Sequence, residues 1–215
     1  GRQTAAPPTH QAAPARHGEP APAASDGSAG MLGFSAASAV EVLTASGSQP
    51  TAQWSVRGKV NRSYDAALRS FVLVVDGGPT TRLSLPKDER KSLALPHRVL
   101  VLQLQLPRDK PFGFELALAD AGGTRRRLAF STALREVASS PLHTRVPLAD
   151  VPRGTWLNLC LDLGELVETF FGSWPYQRLD AISLGAVCKV RRIFALRALS
   201  AGGTGDLAAP ADGWG

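Results

Sequence analysis

The sequence predicts a mainly β chain, an antiparallel β-sandwich of jelly-roll type, with one short amphipathic helix at about residues 163–171. Three observations predict it. Short apolar runs recur along the chain and are separated by Gly-, Pro-, Asp- and Ser-rich turns. Residues 99–106 (VLVLQLQL) form the clearest strand, with Leu100, Leu102, Leu104 and Leu106 on one face and Gln103 and Gln105 on the other. The apolar period then changes at a single place. Leu163, Leu166, Val167, Phe170 and Phe171 fall at i, i+3, i+4, i+7 and i+8.

The folded domain is expected over residues 31–199. Before it, residues 1–30 hold Ala, Pro, Gly, Ser and Thr and no large apolar side chain, so they are expected to be a disordered Ala/Pro-rich extension. Met31, the only methionine, is expected to be the natural start. Residues 40–44 make a brief apolar run, and Trp54 and Val56 begin the next. Residues 71–75 (FVLVV) are apolar and β-rich, and they end in the turn Asp76-Gly77-Gly78-Pro79. Residues 81–85 alternate and run into a charged loop at 86–90. Residues 114–120 and 124–130 flank Ala121-Gly122-Gly123 and predict a hairpin. In it Arg125 and Arg127 point outward, with Arg126, Leu128 and Phe130 toward the other face.

Residues 131–143 (STALREVASSPLH) lack periodicity and are expected to be a surface connection whose length invites a functional role. Strands follow at 146–148 and 155–161. Asp162 with Glu165 forms a capping box at the helix start, and Gly172 is its stop. Residues 181–197 (AISLGAVCKVRRIFALR) predict one buried strand, in which Ile182, Leu184, Ala186, Cys188 and Val190 alternate with Ser183, Gly185, Val187 and Lys189. A basic cluster and a second apolar run, Ile193, Phe194 and Leu196, come next. Residues 200–215 are expected to be a flexible Gly/Ala-rich tail, with Trp214 isolated in it.

Charge narrows the partners. The whole chain carries a net +6, and residues 31–200 alone hold 22 Lys and Arg against 14 Asp and Glu. Such a balance favours an anionic partner: nucleic acid, an acidic membrane surface, or an acidic protein such as tubulin with its carboxylate-rich tails. No run approaches the ~18 apolar residues of a membrane span. No secretory signal is read, so the protein is expected on the cytoplasmic side and not secreted. The sequon Asn61-Arg62-Ser63 is then a chance match. Cys160 and Cys188 lie in apolar runs and are expected to be buried thiols in a reducing compartment, with a disulfide left open.

No catalytic constellation stands out. His10, His17, His97 and His143 have no carboxylate or cysteine at ligand spacing, and Asp162, Glu165 and Glu168 are explained by the helix start. Phosphate loop, nucleophile elbow and dinucleotide fingerprint are missing. No enzyme activity, metal, cofactor or small-molecule substrate is expected. The candidate partner-binding residues are two basic clusters: Arg125, Arg126 and Arg127, and Lys189, Arg191 and Arg192. Their alternative role is edge protection, where cations discourage sheet-to-sheet association. Arginine dominates both, which suits carboxylate or phosphate recognition. Trp54, Trp156 and Trp174 are core residues or else stacking platforms.

Several segments together resemble a known family. They are Gly47-Ser48 with Pro50 and Trp54, residues 85–103 (LPKDERKSLALPHRVLVLQ), 125–132 (RRRLAFST), 136–143 (EVASSPLH), 156–163 (WLNLCLDL) and 179–197 (LDAISLGAVCKVRRIFALR). They resemble the cilia- and flagella-associated protein 20 domain, over nearly all of the folded part. The likeness is nearer to the longer, domain-containing member than to the small single-domain one. The resemblance implies a jelly roll without catalytic activity. Its small member is a structural protein of the ciliary axoneme at the inner junction of doublet microtubules, in contact with tubulin and junction proteins. The expectation is therefore a non-enzymatic structural and interaction module of the cilium or flagellum, at the axoneme or basal body, with microtubules or junction proteins as partners through a basic face. The alternatives are a carbohydrate-binding-like or nucleic-acid-binding β-sandwich, nucleic acid being the less favoured partner, and no membrane is expected.

Overall fold

Pairing between distant apolar strands organises the chain. The computed structural model describes residues 1, 39–172 and 174–198, and the backbone of 208–210. The disorder expected at 1–30 lies outside the described residues, apart from Gly1. The elements are β1 Ala39–Thr44, β2 Ser55–Arg57, β3 Lys59–Asp65, β4 Ser70–Asp76, β5 Arg82–Leu85, β6 Val99–Gln105 and β7 Gly113–Asp120. They continue with β8 Arg125–Ser131, β9 Ala138–Ser139, β10 His143–Pro147, β11 Trp156–Asp162, α1 Leu163–Phe171, β12 Tyr176–Gly185, β13 Cys188–Leu196 and β14 Ala208–Pro210.

Two sheets result. The first runs β14-β11-β6-β13-β4-β3, and β1 lies beside the end of β13 that β4 does not reach. The second runs β2-β5-β12-β7-β8-β10-β9. Every named pair is antiparallel except β8 with β10. The inward residues of both sheets meet in one cluster that includes Leu73, Leu102, Leu104 and Ile193 from the first and Leu83, Leu116, Leu128 and Leu184 from the second. That is the expected sandwich.

In β6 the inward leucines pack as the alternation predicts, but the strand is buried on both faces. Val99 and Val101 pack on its outer side against Phe194 and Leu196 of β13. The helix occupies the predicted residues. Asp162 accepts a hydrogen bond from the Glu165 backbone N–H at 3.0 Å, and Gly172 closes α1 in the left-handed region at φ 59°.

The segment 181–190 is corrected. It is two strands, and they belong to different sheets. β12 ends at Gly185, and after Ala186 and Val187 β13 begins at Cys188 in the first sheet. Alternation hides this corner, because Ile182 and Leu184 before it and Cys188 and Val190 after it all enter the same core. Gly185 is needed there: a Cβ on it would stand 3.0 Å from the Gly113 carbonyl oxygen. Farther along, the register slips between Val190 and Arg192. Arg191 is the extra residue of that bulge, and the inward positions move to Ile193 and Ala195.

Some elements were not anticipated. β3 presents polar side chains over most of its length at the sheet edge, so it carries no period. The connection at 131–143 contains β9 and leads into β10, which starts at His143. Of the tail expected to be flexible, Ala208–Pro210 pairs with β11 as an edge strand. Both cysteines are free. Cys188 is in the central core, and half-buried Cys160 packs on the outer side of β11 with Val99 and Val101. Burial pushes both thiols up. Among the described residues no helix is long and apolar enough to cross a membrane.

Arg126 is a second correction. It alternates inward with Leu128 and Phe130, as predicted, and is 8% exposed, so it offers no charge to a partner. Its guanidinium meets the buried Asp120 carboxylate at 2.9 and 3.0 Å, donates to the Pro141 carbonyl and lies 5.2 Å from the centre of the Phe171 ring. Asp120 also accepts from the Thr124 N–H at 2.8 Å, so the pair ties the β7–β8 hairpin to the next loop and the helix.

Two outcomes follow. Arg126→Ala leaves Asp120 buried and unpaired and is expected to cost about 3–5 kcal/mol, whereas exposed Arg127→Ala stays within about 0.5 kcal/mol; urea unfolding followed by tryptophan fluorescence separates them. The Asp162 side chain is mostly buried: burial alone raises its pKa, but the Arg98 guanidinium at 2.8 Å and the helix N–H groups outweigh this and hold the carboxyl below its usual value. Its contribution is therefore present above the unfolded-state pKa of about 3.9 and lost as pH falls through the lower folded value. Asp162→Asn is expected to flatten the decline in unfolding midpoint on acidification below about pH 4.

Candidate functional site

The two basic clusters do not form one face. Lys189 and Arg192 project from the outer side of the first sheet, and each is tied to an acid. Lys189 Nζ lies 3.4 Å from Asp65 Oδ2 at the end of β3, and Arg192 pairs with Glu41 of β1 while lying over the Phe194 ring. Half-buried Arg191 sits in the bulge, and burial, with Arg192 beside it, lowers its pKa. Lys189 and Arg192 thus tie β13 to acids on β3 and β1.

Arg125 and Arg127 project from the outer side of the second sheet, where their companions come from strands distant in sequence. β12 pairs with both β5 and β7, and β7 with β8, so residues far apart in sequence come into rows. Ser84 lies beside Ser183, with 2.8 Å between their hydroxyl oxygens, and Ser183 beside Glu115. In the next row Ala181, Ala117 and Arg127 are neighbours, with His143 beyond. Arg57 and Arg82 are direct partners on β2 and β5.

The result is a trough of about 710 Å³ across the sheet. Its floor carries the small residues Ser84, Ala117, Ala181 and Ser183, and its walls carry Arg57, Arg82, Arg125 and Arg127. Glu89 and Glu115 also line it, so cations outnumber carboxylates by two to one. The acids are loosely engaged, with Arg57–Glu89 and Arg82–Glu115 each at 3.5 Å. Arg125 reaches Asp180 at only 3.9 Å. Arg127 has no ion-pair partner among the described residues. Exposed pairs at such distances contribute little and leave the cations available to a ligand.

Trp54 and Trp156 are buried, at 3% and 9% exposure, and belong to the core. Trp174 is 56% exposed and lies near Gly122, where a Cβ would come within 3.2 Å of the indole. It borders a separate hollow of about 390 Å³ beside Arg98, Glu168 and Tyr176. A single exposed ring there offers no row of stacking platforms. Among the described residues, His, Cys, Asp and Glu form no group of three placed to hold a metal ion.

Residues 34–200 match the CFA20 domain. Among solved structures the chain is similar to one described as "Structural analysis of an exo-beta-agarase", at 11% identity and a TM-score of 0.34. That similarity covers 75% of this chain and a quarter (25%) of the other, and it is too slight to carry an argument about activity. The segment that matches the CFA20 domain contains every element from β1 to β13, including the helix. The chain belongs to the CFA20 domain family, a family of cilia- and flagella-associated proteins.

Proposed function

We propose that the domain is a non-enzymatic structural and interaction module on the cytoplasmic side of the cilium or flagellum. It associates with axonemal or basal-body microtubules, or with the proteins that join them, through the outer face of the second sheet. One observation carries this reading: Arg125 and Arg127 share an exposed face with Arg57 and Arg82, and the Arg127 side chain has no ion-pair partner among the described residues. Arginine meets carboxylates with a planar fork of donors, so an acidic protein surface is a fitting counterpart. Family membership supports the ciliary setting. The trough lining includes no aromatic side chain, which favours a protein partner over the carbohydrate and nucleic-acid alternatives, since both of those exploit ring stacking.

Co-sedimentation with purified microtubules tests the reading. The double variant Arg125→Glu with Arg127→Glu is expected to weaken binding about tenfold, as like charges then face each other, and wild-type binding is expected to fall as salt rises. Lys110→Glu, an exposed charge reversal on the β6–β7 loop, is expected to leave it unchanged. Equal losses in both variants, or salt-insensitive binding, would overturn the proposal.

A further inference from the structure

Within that face we infer a more specific occupant: the trough across the second sheet binds an extended, glutamate-rich peptide segment of a partner protein, laid across the strands. The inference rests on the reading of this face as the contact surface. Its geometry comes from the sheet. From β2 to β8 there are four strand-to-strand steps, or about 19 Å at the ~4.8 Å spacing of paired strands. An extended peptide advances about 3.3 Å per residue, so about six residues span the trough. Arg57 and Arg82 stand at one end of that span, and Arg125 and Arg127 at the other.

The floor suits a backbone. Small side chains at Ser84, Ala117, Ala181 and Ser183 leave room for a main chain to approach, and the two hydroxyls offer hydrogen bonds to it. An extended segment turns alternate side chains to opposite sides, so carboxylates spaced along it reach the arginines in turn. A phosphate backbone satisfies the same charge, but its bases or sugar rings find no aromatic platform here.

Glu89 and Glu115 already act as internal substitutes for the ligand. Each holds one trough arginine at 3.5 Å, and Glu89 does so from an exposed position between β5 and β6. A carboxylate on the ligand competes with Glu89 for Arg57. Removing the Glu89 charge should therefore tighten binding, while removing the Arg127 charge should loosen it. A role for Arg127 in folding alone predicts no gain at Glu89.

The test is fluorescence anisotropy with a labelled peptide of about eight glutamates, slightly longer than the span. Expected results are saturable binding, at least about fivefold weakening by Arg125→Gln with Arg127→Gln, about two- to threefold tightening by Glu89→Gln, and no change with Lys110→Gln. Single-stranded RNA that displaces the peptide at lower concentration than unlabelled peptide would overturn the inference in favour of nucleic acid. Peptide binding that ignores the trough substitutions would also overturn it. If the peptide fails to bind while microtubule co-sedimentation still depends on Arg125 and Arg127, the peptide trough is refuted and the docking face stands. If both fail, both readings fall.

Discussion

The pairing of β6 with β13 is the constraint on which the rest of the domain depends. These strands lie side by side in the first sheet, and apolar side chains leave them on both faces. Leu100, Leu102 and Leu104 meet Val190, Ile193 and Ala195 in the shared core, while Val99 and Val101 meet Phe194 and Leu196 outside it. Each buried leucine contributes on the order of 2 kcal/mol by removal from water. With both faces apolar, a slip of one residue would carry Gln103 and Arg192 into the central core. β11 then adds to one side of β6, and β1 and β4 share the free side of β13. The second sheet is placed by its inward leucines and by the direct run from β12 into β13.

How far this was legible depends on whether the information was local. The helix was, because its period, its cap at Asp162 and its stop at Gly172 lie within eleven residues. The β7–β8 hairpin and the inward turn of Arg126 were legible for the same reason. The corner at Ala186 and Val187 was not, because alternation continues unbroken when a strand passes between two sheets that face one core. β3 was hidden by its polar surface, and β14 by a composition of small residues.

The candidate site divides along similar lines. Runs of arginine are visible in any sequence, but their partners are not. Asp65 and Glu41, which engage Lys189 and Arg192, lie 124 and 151 residues away from them along the chain. A local count of cations therefore overstated the charge available on that side. Arg57 and Arg82 posed the reverse problem. Each is isolated in sequence, and only the order β2-β5-β12-β7-β8 brings them toward Arg125 and Arg127. A basic face made by sheet order alone leaves little trace in a linear reading.

The passage from β12 into β13 has a mechanical consequence. β12 forms the middle of the trough floor, and after Ala186 and Val187 the same chain continues as β13, which lies against β6 in the other sheet. A force component that runs along β12 is shared with the neighbours paired on both its sides. It then passes through covalent bonds into a strand that is also held on both sides. Force directed along such strands loads their hydrogen bonds in shear, so that they resist together, whereas force across an edge strand opens them one at a time. That route makes the trough floor and the doubly paired interior strand parts of one continuous chain.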